Sequence, residues 1–138
     1  MSIVFFTDRD LGKQFPGILR RAGLVVERHD DHFAHDTPDE IWLAEASRRG
    51  WIAITHNKQI RYTPNELAAI IQHRVALLVV IGRPPMADLA RAFVATSALV
   101  QQFVAKHQPP YIAKVYQPSS SALGKNPAAP GEIRMWYP

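Results

Sequence analysis

The residues best placed to do chemistry in this chain are oxygen donors standing just after short apolar runs. Asp8 and Asp10 follow Ile3-Val4-Phe5-Phe6, Asp39 and Glu40 follow Thr37-Pro38, and Asn57 and Gln59 follow Trp51-Ile52-Ala53-Ile54. Carboxylates and amides gathered from separate segments suit a hard divalent cation, Mg²⁺ or Mn²⁺, which takes oxygen ligands and keeps waters for reaction. Arg9, Thr55, His56, Lys58 and Arg61 add cations, a hydroxyl and an imidazole to the same loops, presented to whatever ligand lies beyond the sheet. His56 could orient a phosphate or move a proton, and equally suits a plain surface position.

Each acid also has a plainer use. Asp39 and Glu40 sit where a helix N-terminus favours negative charge, and Glu40 would close a capping box with Thr37. Asp8 ends an apolar run with no helix to cap, so for it the functional reading is the stronger. His29, His32 and His35 share a loop with Asp30, Asp31 and Asp36. Imidazoles and carboxylates together can bind Zn²⁺, but the three-residue spacing needs a tightly wound loop and no fourth ligand is evident, so the loop reads as solvated. Trp42 and Phe33 read as packing anchors rather than as base-stacking surfaces.

The elements that must position these groups alternate along the chain. Ile3–Phe6, Leu24–Val26, Trp51–Ile54 and Val75–Ile81 read as buried strands, and Tyr111–Tyr116 as an edge strand. Helical spacing predicts helices over 12–22, 37–49, 63 onward and 86–106, with Gly23 and Gly50 as stops. Thr37-Pro38-Asp39-Glu40 and Thr63-Pro64-Asn65-Glu66 both carry the signature of Thr as N-cap, Pro in the first turn and Glu closing a capping box. The resulting expectation is an α/β protein: a three-layer α/β/α arrangement around a mostly parallel sheet of about five strands. In such a sheet the polar loops after the strands lie on one edge, where ligands bind. Residues 1–117 form that domain. Residues 118–138 read as a Pro-, Ser- and Ala-rich tail whose last residues, Ile133, Met135, Trp136 and Tyr137, dock on this domain or on a partner.

Composition narrows the class. The chain has 138 residues and no cysteine, which excludes disulfides and thiolate metal sites. No apolar run approaches the ~20 residues of a membrane span, no secretory leader is legible, and a cytoplasmic protein is expected. The net charge is +4 and unevenly spread: residues 1–66 hold ten acids and nine Lys/Arg, residues 67–138 two acids and seven Lys/Arg. A basic body around a local acidic site suits an enzyme acting on polyanions, though solubility alone would also account for it.

Thr7-Asp8-Arg9-Asp10, His29-Asp30-Asp31-His32-Phe33, Asp36-Thr37-Pro38-Asp39-Glu40-Ile41-Trp42 and the segment from Arg48 to Glu66 together resemble the PIN-like domain family over roughly residues 3–67. The resemblance implies a small metal-dependent ribonuclease, of the kind often found as the toxin of a toxin–antitoxin pair. It implies Asp8 and Asp39 as metal ligands and catalytic groups, and Lys58 and Arg61 as cations beside the scissile phosphate. RNA as substrate, a cognate antitoxin protein and a possible homodimer follow from the same likeness. The family pattern after the strand is Thr-x-Asp, sometimes with a second Asp two residues on. Here Asn57 and Gln59 hold those places, so Asn57 would ligate without charge and the enzyme would be weak.

Two other classes stay open. A catalytically silent relative would bind RNA or a partner protein without cleaving. A phosphoacceptor receiver domain shares the early acids and a Thr at a strand end. It wants an Asp after Leu24–Val26, where His29 stands, and a Lys after Val75–Ile81, where Gly82-Arg83 stands.

Overall fold

A computed structural model describes residues 3–138 of the chain. Four short strands are parallel neighbours: β1 (Val4–Thr7), β2 (Val25–Arg28), β3 (Ile52–Thr55) and β4 (Ala76–Ile81). β5 (Tyr111–Tyr116) continues the parallel sheet beside β4, and β6 (Glu132–Tyr137) closes it antiparallel to β5. The strand order is β2-β1-β3-β4-β5-β6. After β1 the chain moves outward to β2, then returns past β1 to build β3. The winding reverses between β1 and β3, and the C-terminal ends of such a strand pair frame the crevice in which open α/β sheets bind ligands.

The strands are apolar on both faces because both faces are covered. α1 (Gln14–Arg21) and α4 (Met86–Lys106) bury Phe15, Leu19, Leu89 and Phe93 against Phe5, Ile54, Leu78 and Ala113. α2 (Asp39–Arg48) and α3 (Pro64–Gln72) bury Trp42, Leu43, Ala46 and Ile70 against Phe6, Ala53, Leu77 and Val79. The three-layer α/β/α arrangement with a mostly parallel sheet is as the sequence predicts. No helix among the described residues is long and apolar enough to cross a membrane.

The structure corrects several expectations. The sheet has six strands rather than about five, because the tail itself supplies one. Residues 118–138 form α5 (Ser120–Lys125) and then β6, whose Trp136 and Tyr137 pack against the α2/α3 side. β5 is therefore interior, and β2 and β6 are the edges. A short-range pattern could not reveal β6, since its partner Tyr116↔Glu132 register is fixed by a crossing that only Gly131 permits. A Cβ at Gly131 would overlap the Tyr116 carbonyl, and the Gly131 N–H donates to the buried Thr96 Oγ1 at 2.9 Å.

Capping also differs. α2 starts one residue later than the signature implies, with Pro38 rather than Thr37 at the N-cap and no side-chain cap bond. Thr63 does precede α3, but its hydroxyl donates to the Gln59 carbonyl at 3.1 Å instead of capping the helix. Neither capping box forms, which leaves the carboxylates of Glu40 and Glu66 without that use.

Candidate active site

β1 delivers Asp8 to the crevice. The Asp8 backbone N–H donates to the Ile54 carbonyl at 2.9 Å, extending the β1–β3 ladder one step and holding Asp8 beside the end of β3. Its Oδ1 accepts the Arg9 backbone N–H at 2.8 Å, and its Oδ2 accepts the Thr55 hydroxyl at 2.9 Å. Asp8 thus caps the 3₁₀ turn Arg9–Leu11, a structural duty that the sequence reading denied it. Thr55 is completely buried, and its hydroxyl also lies 3.2 Å from Asp10 Oδ2. One hydroxyl has one hydrogen to give, so it cannot satisfy both carboxylates at once. The His56 backbone N–H reaches Asp10 Oδ1 and Oδ2 at 3.3 and 3.1 Å.

Two acids sharing one hydroxyl in a partly dry crevice must repel. Burial pushes the Asp8 carboxyl up to about 7, with the charges of Asp10 and Asp39 adding to it and the Thr55 bond opposing it. Asp10 is exposed as a residue, yet its carboxylate turns inward. Its pKa is raised by desolvation, and the His56 N–H and the Thr55 hydroxyl offset part of that rise.

Asp39 opens α2 and is held from below. The indole Nε1–H of Trp42, one turn on, donates to Asp39 Oδ1 at 2.8 Å. Trp42 is wholly buried, with its ring centroid 5.5 Å from that of Phe6. Glu66 joins from α3: burial raises its pKa, and the Asp39 carboxyl beside it raises it further. Trp42→Phe keeps the aromatic packing and removes only the N–H. Losing a hydrogen bond to a charged acceptor is expected to cost about 1.5–3 kcal/mol of stability by urea denaturation. It should also weaken Mn²⁺ binding about tenfold by calorimetry, as loss of a ligand's orienting partner does. Unchanged Mn²⁺ affinity would detach Asp39 from the site.

The other predicted residues fall as follows. Asn57 caps the 3₁₀ turn Lys58–Arg61, its Oδ1 accepting the Gln59 N–H at 3.0 Å. Lys58 is exposed on that turn. Arg9 is exposed next to Asp8. His56 binds inward, with Nε2 2.7 Å from the Gly82 carbonyl, so it splints the loop after β3 to the loop after β4. Only glycine serves at position 82, where φ is 145° and a Cβ would sit 2.6 Å from Leu89 Cδ2. Arg61 turns to the aromatic rings of Tyr62, Trp136 and Tyr137.

The histidines of the β2 loop separate. His29 is completely buried among Phe6, Phe33 and Trp42, so that part of the loop is not solvated; desolvation lowers its pKa. His32 pairs with Glu27 at 2.7 Å, and His35 is exposed. Among the described residues no three His, Asp or Glu side chains are already gathered into a ready metal-binding group, in this loop or at the crevice. Asp8, Asp10 and Glu66 nevertheless offer oxygens alone, and all three carboxyls are raised by burial first and by neighbouring carboxyls second, both of which a divalent cation would offset.

Two contributors were not singled out from sequence, and a third, Asp10, was named among the oxygen donors but given no role of its own. Glu66 was absorbed into a capping signature. Trp42 was read as a packing anchor, which it is, but its indole N–H also aims Asp39.

The doubly wound sheet carries Asp8 just after β1, Asp39 at the start of α2 and Glu66 in the first turn of α3, which defines a small α/β protein with acids placed around its switch point. Residues 3–82 match the family described as PIN like domain, and the chain belongs to that family. No curated protein and no solved structure matches it. Family membership sets aside the receiver reading.

Proposed function

We propose that this chain is a weak metal-dependent endoribonuclease of the PIN-like type, with Mg²⁺ or Mn²⁺ as cofactor and RNA as substrate. One observation carries the reading: the buried Asp8 carboxylate and Asp10 converge on the single Thr55 hydroxyl, at 2.9 and 3.2 Å, and burial there raises the Asp8 carboxyl above its ordinary range. A fold gains nothing in stability from confining two acids this way, whereas a cation site needs it. Asp8, Asp10 and Asp39 would hold the ion, with Asn57 as an uncharged fourth oxygen. When bound, the cation supplies Lewis acidity and a water of lowered pKa.

The chain's own residues do the rest. Thr55, wholly used between Asp8 and Asp10, positions those carboxylates and does not touch substrate. Trp42 fixes Asp39. His56, with its ring on Gly82, holds the loop in place through its backbone N–H to Asp10. Lys58 and Arg9, both exposed on the turns that follow β3 and β1, would bear on phosphate and position RNA without reading its sequence. An antitoxin protein as partner belongs to the same proposal and rests on family likeness.

The absence of a preassembled ligand group among the described residues, with Asn57 in an acidic position, favours one alternative: a silent relative that binds RNA without cleaving it. Mixed RNA incubated with the protein over a Mn²⁺ titration separates the two. Metal-dependent cleavage that Asp8→Asn removes is the expected result. Binding without cleavage at any metal concentration establishes the silent relative instead.

A further inference from the structure

We infer that the open face of β5 and β6 is a landing track for single-stranded RNA, running from Lys114, across the buried Val79 from the acidic crevice, to the far edge of the sheet. The inference rests on the ribonuclease reading for its choice of polynucleotide, and on the following geometry for its place.

Sheet register puts one row of side chains in line. Thr55 pairs with Val79, Val79 with Lys114, and Lys114 with Arg134. Register partners in a sheet point to the same face, and strands lie ~4.8 Å apart, so Lys114 stands roughly 10 Å from Thr55 and Arg134 roughly 15 Å. Two contacts fix which face this is. Lys114 Nζ lies 4.0 Å over the Trp136 ring, and Trp136 belongs to the core cluster of the α2/α3 side, as do Val79 and Ile112. Arg134 lies over the Tyr116 ring at 5.9 Å, two residues from Lys114 on the same strand.

The row ends in an aromatic group with cations that lack acids. Arg61 sits 5.6 Å from the Trp136 ring and 5.4 Å from that of Tyr62. Tyr62 meets Trp136 edge-on at 5.7 Å and is 63 % exposed, leaving ring surface free. Among the described residues neither Lys114 nor Arg61 has a carboxylate partner, and Arg61 Nε is buried with no hydrogen-bond partner. Arg134 pairs only with the exposed Glu132, a contact that a phosphate can displace at little cost.

Unpaired cations interleaved with an exposed ring bind phosphates and stack bases, and stacking requires bases free of a duplex. The crevice supplies the need for such a track. Its carboxylates repel a phosphodiester backbone, so a strand held there must be anchored beside it by positive charge. Lys114 and Arg134 are the cations on the same sheet row. Lys114, Arg134 and Trp136 lie outside residues 3–82 while Arg61 and Tyr62 lie within them, so the track joins the family-matched segment to the part of the chain beyond it.

The test is fluorescence anisotropy with a labelled oligoadenylate about 12 nucleotides long, in EDTA so that cleavage is silent, over a range of salt. Lys114→Gln should lower affinity about threefold to tenfold and reduce the salt slope by about 0.7, the value for one contact to a single strand. Lys114→Arg, which keeps the charge over Trp136, should restore both. Tyr62→Ala should lower affinity about fivefold or more with the slope unchanged, and should leave binding to a duplex of the same sequence unaffected. Wild-type affinity and slope in Lys114→Gln overturn the track, as does failure of the wild-type protein to bind the strand. Cleavage distinguishes this failure from failure of the ribonuclease reading. A chain that cleaves RNA but ignores these substitutions keeps its activity and loses the track; one that binds through them without cleaving keeps the track and loses the activity.

Discussion

Asp8→Asn should make the metal-free protein more stable above neutral pH while removing its response to Mn²⁺. The folded Asp8 carboxyl titrates at about 7 against an ordinary value of 3.8. Below pH 4 both folded and unfolded chains carry its proton, and the group costs nothing. As pH rises toward 7 the unfolded chain releases that proton first, so it binds fewer protons than the folded chain and stability falls. Above 7 the loss is complete. About 1.4 kcal/mol per unit over that gap gives roughly 4 kcal/mol, and about 2–4 is the expected gain of the variant at pH 8. Asparagine keeps an acceptor for the Arg9 N–H or the Thr55 hydroxyl and presents an amide donor toward Asp10. Urea denaturation in EDTA at pH 4 and pH 8 reads the effect: equal stabilities at pH 4, a gap at pH 8. Calorimetry should show Mn²⁺ affinity reduced at least about tenfold, with RNA cleavage lost in step. A variant no more stable than wild type at pH 8 would mean that Asp8 is not held against its own charge, and the main support for a cation site would go with it.

The sequence made the central fold legible because its cues are local. Four apolar runs of strand length, each ending in polar residues, and glycines at helix ends are statements about neighbours a few positions apart. Met86–Lys106 emerges as one helix for the same reason. What could not be read depends on contacts far apart in the chain. β6 exists because Gly131 lets its backbone cross Tyr116 and because Trp136 finds Lys114 and Arg61, residues 22 and 75 positions earlier. The site was legible to the level of its donors' chemistry. Asp8, Asp39 and the loop after Ile54 are legible as donors from their types and spacing, but sequence could not say that Asp10 shares the Thr55 hydroxyl or that the Trp42 indole N–H bonds Asp39. The capping signatures misled, since Thr-Pro-x-Glu is equally compatible with a carboxylate freed toward a neighbouring helix.

Asn57→Asp is expected to raise metal affinity and RNA cleavage together. Asn57 Oδ1 caps the turn by accepting the Gln59 N–H, and its backbone N–H donates to Thr55 Oγ1 at 3.1 Å. An aspartate keeps that cap with one oxygen, since Asn and Asp cap such turns about equally well. The second oxygen then carries charge at the end of β3, next to Thr55 and the acids it holds. A unit charge ~4 Å from another at an effective dielectric near 20 is worth about 4 kcal/mol before exposure weakens it, so a tenfold or greater gain in Mn²⁺ affinity is a modest expectation. The same charge adds to the repulsion that already raises Asp8 and Asp10, so the metal-free variant should be less stable than wild type at pH 8 and recover with Mn²⁺. That pairing of losses and gains is what a purely structural cap cannot produce, because a cap exchange leaves stability, affinity and turnover alike. Flat Mn²⁺ affinity and flat turnover in Asn57→Asp, beside a wild-type chain that cleaves RNA well, would remove residue 57 from the ligand set and leave Asp8, Asp10 and Asp39 to hold the cation alone.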